Sequence, residues 1–306
     1  MRILFDCDPG LDDAVALLAA MSSPRFDIQA ITTVAGNVTG SQTALNARIV
    51  RTIAEAEEIP IHEGASRPLT REPVTAEDFH GTTGLGSIHV PAPNGPLSQI
   101  HGVDALTQYT NDSKGNPLTI VQTGPMTNLA SALKTDPEII DGIAEILMMA
   151  GGSKTAGNIT PYAEFNVFAD PHAADIVFNC GVPIRCLSLD VTHDIRTTTE
   201  RLEEVKAVGT KAAMYAAKFL AASCGLELKA AGNPAAPLHD PSTIIALANP
   251  DLFQGKHAHV SVVTTPGETF GHTDVTFAEN GAVLWYQSAD VNGVYSTLCD
   301  LLGGRG

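Results

Sequence analysis

Four aspartates fall within eight residues near the start of the chain, in Asp6-Cys7-Asp8-Pro9-Gly10-Leu11-Asp12-Asp13. Carboxylates packed this tightly repel one another, and a hard divalent cation that prefers oxygen ligands is the natural way to offset them. A solvated acidic turn, with Asp12 and Asp13 favouring a helix N-terminus, would account for one or two such acids. Four around a Pro-Gly turn point instead to a metal or catalytic site. Polar groups recur elsewhere after apolar runs: Gly36-Asn37, Thr123-Gly124-Pro125-Met126-Thr127-Asn128, Asn158, Glu164-Phe165-Asn166, Asp170-Pro171, Asp190 and His239-Asp240-Pro241. Singly, each has an ordinary structural reading. Asp240 suits an N-cap with Pro at the first helical position, Asn37 suits a turn, and His239 alone is a packed or surface histidine.

The elements that must position these groups follow from the apolar pattern. Ile3-Leu4-Phe5 leads into the acidic turn and Ala14-Val15-Ala16-Leu17-Leu18-Ala19-Ala20 leaves it, so the turn joins a strand to a helix. Strands are expected at 3–6, 28–34, 118–122, 146–149 and 184–189. Helices are expected between them at 12–21, 41–56, 104–111, 126–134 and 171–178. This alternation predicts a single α/β domain over residues 1–306, with a mostly parallel sheet and helices on both faces. A helical segment at 198–222, a helix at 241–247, late strands at 259–264 and 282–286 and a closing helix at 291–302 complete the pattern. In a parallel sheet the loops after successive strands share one edge, so their polar groups can converge on one cavity. Two stretches, 70–86 and 223–237, fit no regular element and read as mobile loops of the kind that form lids.

The bulk numbers narrow the function classes. The chain has 306 residues, 44% of them hydrophobic, and a net charge of −16. That charge argues against nucleic acid as a partner, because phosphate backbones are bound by basic patches. No apolar stretch reaches membrane-spanning length, and the short apolar run at the start does not read as a secretory signal. Five cysteines without C-x-x-C spacing read as reduced thiols in a cytoplasmic protein. Cys7 lies among the acids, where a thiolate is disfavoured, so it is not read as a nucleophile.

Together, the acidic block, Ile31-Thr32-Thr33-Val34-Ala35-Gly36-Asn37, Gln122-Thr123-Gly124-Pro125-Met126-Thr127-Asn128, Ala163-Glu164-Phe165-Asn166 and His239-Asp240-Pro241 resemble the inosine-uridine-preferring nucleoside hydrolases. The blocks come in that family's order and span about four-fifths of the chain. The resemblance implies a Rossmann-like core sheet, a homodimer or homotetramer, and Ca²⁺-dependent hydrolysis of the N-glycosidic bond of a small-molecule ribonucleoside. It also implies that Asp8, Asp13 and Asp240 hold Ca²⁺ by carboxylate and Thr123 by its carbonyl, with a water and the ribose 2′ and 3′ hydroxyls completing the set. Asp8 would take a proton from the water. Asp12, Asn158, Glu164 and Asn166 would hold the ribose, and Asn37, His80 and His239 would lie towards the base or the attacking water. Asp6 is expected to act as support.

The chemistry agrees with these roles. Ca²⁺ takes six to eight oxygen ligands, and a histidine is suited to protonate a leaving base near neutral pH, with His239 the first choice and His80 the second. The stretch 223–237 contains no Tyr, Trp or Phe, so it offers no aromatic stacking platform for the base. The presence of both histidines points to a pyrimidine-capable or broad enzyme. Two other readings are open. An Asp-x-Asp pair after the first strand also opens the haloacid-dehalogenase-type phosphatases, although here Pro9-Gly10-Leu11-Asp12-Asp13 follows, and two further acids repel a phosphate. A catalytically silent ribonucleoside-binding protein would keep the same ribose and metal site.

Overall fold

The computed structural model describes residues 1–77 and 81–304. Six parallel strands come first: β1 (Arg2–Cys7), β2 (Asp27–Thr33), β3 (Ile61–Glu63), β4 (Leu118–Gln122), β5 (Ile143–Met149) and β6 (Ile184–Leu187). Two short strands, β7 (Arg196–Thr197) and β8 (Ala236–Pro237), pair with each other apart from the main sheet. β9 (Phe253–Val262), β10 (Thr273–Phe277) and β11 (Val283–Ala289) complete a nine-stranded sheet of order β10-β9-β11-β6-β5-β4-β1-β2-β3. β9 runs antiparallel to β10 and β11, while β11 is parallel to β6. The expected α/β domain with a mostly parallel sheet is the observed one.

Strand order fixes where a site can form. From β1 the chain steps outward to β2 and β3, then returns to place β4 on the other side of β1. The crevice at such a reversal, beyond the carboxyl ends of the strands, is where open α/β sheets bind ligands. The Asp6–Asp13 turn leaves β1 at that edge, and Thr123 leaves β4 beside it. Both faces are covered: Ile3, Phe5 and Cys7 of β1 join one apolar core and Leu4 the other. A strand buried on both sides loses its alternating pattern, as the apolar run Ile3-Leu4-Phe5 does.

One expectation needs correction. The stretch 223–237 is not an irregular loop, because the helix Lys211–Ala231 runs through most of it. Thr210 Oγ1 accepts the Ala213 N–H at its start, and Gly232, with φ 71°, ends it. Ala, Leu, Lys and Glu are strong helix formers and outweigh the single interruption at Gly225. Only the short connection after Gly232 is irregular before β8. The helical segment expected at 198–222 comprises the helix Thr199–Ala207 and the first part of Lys211–Ala231, separated where Gly209 takes φ 77°. In the other lid-like stretch, residues 81–87 form tight turns. Among the described residues, no helix is long and apolar enough to cross a membrane.

Candidate active site

The acidic turn is held in shape by backbone and amide donors. Asp8 Oδ2 accepts the Asn37 N–H at 2.7 Å, and the Asn37 side-chain amide donates to Asp8 O at 3.0 Å and Asp13 Oδ2 at 3.1 Å. Asp13 also accepts from the backbone of Gly10 and Asp8 and, at 2.7 Å, from Thr123 Oγ1. The threonine after β4 is therefore tied to the turn after β1. Glycines on two sides make room for Asp8. A Cβ on Gly36 would lie 2.1 Å from Asp8 Oδ2, and one on Gly124 would lie 2.9 Å from Asp8 Oδ1. Asp6 faces away from this chemistry: its Oδ1 accepts from Thr32 Oγ1 at 2.7 Å and Asn128 Nδ2 at 2.8 Å.

Asp240 arrives from far along the chain, at the start of the helix Pro241–Ala248, and is buried. Its carboxyl lies within hydrogen-bonding reach of Asp13. Two carboxylate anions sit that close only with a proton or a cation to offset them. Burial, and then the charge of Asp13, push both Asp8 and Asp240 well above the usual carboxylate range. Burial and Asp13 likewise push Asp12 up to about 7. Burial also drives the Cys7 thiol upward, helped by Asp13, Asp6 and Asp8, which agrees with reading Cys7 as inert.

A second wall comes from the loop after β5. Glu164 caps the helix Phe165–Ala169, accepting from the backbone of Asn166 at 2.8 Å, Val167 at 3.2 Å and Gly151 at 3.0 Å. Asn158, exposed, accepts the Phe165 N–H through Oδ1. Asn166 donates through its amide to Thr123 O at 2.7 Å and Met149 O at 3.1 Å, so it aims the Thr123 carbonyl. Asp12 is half-buried and meets Ser223 Oγ of the long helix at 3.3 Å. His239 is also half-buried. Its Nδ1 lies 2.8 Å from Thr192 Oγ1, and its ring centroid lies 5.6 Å from that of His193.

Of the residues singled out in the sequence, Asp8, Asp12, Asp13, Asn37, Thr123 and Asp240 form one linked cluster, which Asn166 joins through Thr123. His80 lies outside the described residues. Asp170 and Asp190 do not enter the site. Asp170 binds Leu69 N, Thr127 Oγ1 and Ala173 N, and Asp190 holds the 153–155 turn and Trp285 Nε1. Thr192, His193 and Ser223 carry no pattern along the chain, because each is placed by tertiary contact. Asn46 was equally hidden: its amide bridges Pro9 O and Thr83 O, both at 2.8 Å.

The sequence profile of the inosine-uridine preferring nucleoside hydrolases matches residues 3–296. The chain belongs to that family. It hydrolyses the N-glycosidic bond of ribonucleosides, and the phosphatase and silent-binder readings find no support. A pyrimidine-specific ribonucleoside hydrolase RihA from Photobacterium profundum is 41% identical over 89% of this chain and 88% of its own. Among solved structures, a plant nucleoside hydrolase superposes with a TM-score of 0.92 at 31% identity, over 98% of each chain. A purine-preferring ribonucleoside hydrolase from Gardnerella vaginalis superposes with a TM-score of 0.90 at 27% identity, over 99% of each chain.

Proposed function

We propose that the hydrolysis depends on Ca²⁺, with Asp8, Asp13 and Asp240 and the Thr123 carbonyl as its protein ligands. The observation that carries this reading is the convergence of buried carboxylates, with Asp8 Oδ1 buried and without a hydrogen-bond partner among the described residues. The donor set is all oxygen, as a hard cation requires. Among the described residues, no three His, Cys, Asp or Glu groups already surround a common metal position. Asp8, Asp13 and Asp240 would therefore draw together around the ion as it binds, with the Thr123 carbonyl completing the set. A bound Ca²⁺ supplies the positive charge that keeps these carboxylates ionised and lowers the pKa of a neighbouring water.

The chain's own groups do the rest. Asp8, pinned through Oδ2 by Asn37, presents Oδ1 to take a proton from the attacking water. Asp12, Asn158, Glu164 and Asn166 hold the ribose hydroxyls, so C1′ stays in line between water and base. The carboxylates also favour the positive charge that develops on the sugar as the base departs. His239, steadied by Thr192, donates the proton that the leaving base requires. We take the substrate to be a pyrimidine ribonucleoside, in keeping with relatives of 40–41% identity named as pyrimidine-specific. Sugar release from ribonucleosides and their 2′-deoxy forms tests the ribose contacts. Loss of the 2′-deoxy substrates and collapse of kcat in Asp8→Ala are expected. Equal turnover of both sugars, with Asp8→Ala active, would overturn the assignment.

A further inference from the structure

A cavity of about 490 Å³ lies between the 81–87 turns and the end of the long helix Lys211–Ala231. It adjoins the site. Asn46 ties the turn at Thr83 to Pro9 beside Asp8, and Ser223 ties the long helix to Asp12. The helix presents Ala222, Gly225, Leu226 and Lys229 to the cavity, a stripe at three- and four-residue spacing. The wall borders open space at Gly225, where a Cβ would meet nothing within 4 Å.

Lys229 is the charged group on the lining. It is exposed and makes no hydrogen bond or ion pair among the described residues. The carboxylate two residues before it, Glu227, is engaged elsewhere, with Oε1 3.4 Å from Arg196 Nη1. Leu226 supplies the apolar floor, and Thr82 and Ser87 on the facing turn carry hydroxyls.

We propose that Lys229 is a specificity-determining residue for the leaving base, selecting bases that present a carbonyl oxygen to this cavity, as uracil does, over those that present an amino group, as cytosine does. This rests on the hydrolase reading of the site. In the reaction the C1′–N bond breaks with both electrons going to the base, and the water oxygen bonds to C1′. The water's proton passes to Asp8, and a proton is returned to the base from His239 or solvent. Until then the base carries negative charge spread over its ring carbonyl oxygens. An ammonium donor strengthens its hydrogen bond to such an oxygen as that charge grows. Against an exocyclic amino group the same lysine meets donor with donor. With no aromatic residue in 223–237 to stack on the base, a charged hydrogen bond is the discriminating contact this helix offers.

The test compares wild type, Lys229→Met and Lys229→Arg on uridine, cytidine and p-nitrophenyl β-D-riboside, with calorimetric binding of free uracil and cytosine alongside. Lys229→Met should lose about 10- to 100-fold in kcat/KM on uridine, the value of one charged hydrogen bond. Cytidine should change little, and so should the nitrophenyl riboside, whose leaving group is already a stable anion. Lys229→Arg should recover most of the uridine activity, and uracil binding should weaken in Lys229→Met alone. An unchanged uridine-to-cytidine ratio in Lys229→Met, with unchanged uracil binding, would overturn the proposal. If wild type released sugar from no ribonucleoside, the hydrolase reading itself would fail, and the uracil arm would still decide the role of Lys229.

Discussion

Substituting Asp6 by Asn removes a buried charge while keeping its shape. Asp6 has zero exposure, its Oδ1 accepts from Thr32 and Asn128, and its Oδ2 is buried without a hydrogen bond. Burial, opposed in part by Asn128 and Thr32, pushes its carboxyl from 3.8 to about 6. The folded state thus holds this proton more tightly than the unfolded chain does. The contribution to stability is full below about pH 3.8 and is lost as pH rises to about 6. At about 1.4 kcal/mol per pH unit, the total loss is about 3 kcal/mol, and about half of it falls between pH 5 and pH 8. Asn keeps an acceptor for Thr32 and Asn128. Gln122, opposite Asp6 in the β1–β4 register, donates through Nε2 to Asp6 O at 3.3 Å. Urea unfolding of chelated protein should therefore find Asp6→Asn more stable than wild type by about 3 kcal/mol at pH 8, and by about half that at pH 5. A difference that does not change with pH, or a variant less stable than wild type at pH 8, would refute the reasoning.

Two further substitutions probe the geometry around Asp8 and His239. Gly36→Ala places a methyl 2.1 Å from Asp8 Oδ2, so the carboxylate must move. A displacement of that order costs about 100-fold in kcat/KM, to be measured against an unchanged circular dichroism spectrum. Thr192→Val removes the hydroxyl at His239 Nδ1 and should lower kcat about 10-fold with KM nearly unchanged, as steady-state kinetics on uridine would register.

The parallel core and the acidic turn were legible because they are local. Ile3-Leu4-Phe5 followed by four acids can hardly be anything but a buried strand ending in a loaded turn. The placement of Asp240 beside Asp13 followed only from resemblance, since 227 residues separate them. Gly36 and Gly124 were visible as letters, but their function, leaving space around Asp8, depends on which side chain the fold brings near. The end of the long helix was not legible, because Gly225 and the small residues around it have a loop-like composition. Helix propensity summed over the neighbouring Ala, Leu, Lys and Glu residues prevailed. The stripe that puts Lys229 in the cavity exists only because this stretch is helical. Thr192 and Ser223 carry no pattern at all; each matters through one contact made across the fold.

Stepwise addition of Ca²⁺ to chelated protein, followed at once by heat of binding and by ribose release from uridine, tests the metal assignment most directly. One site should fill, and ribose release should rise from zero in proportion to its occupancy, with Asp240→Asn shifting both curves together. Full ribose release in the presence of excess chelator would contradict it.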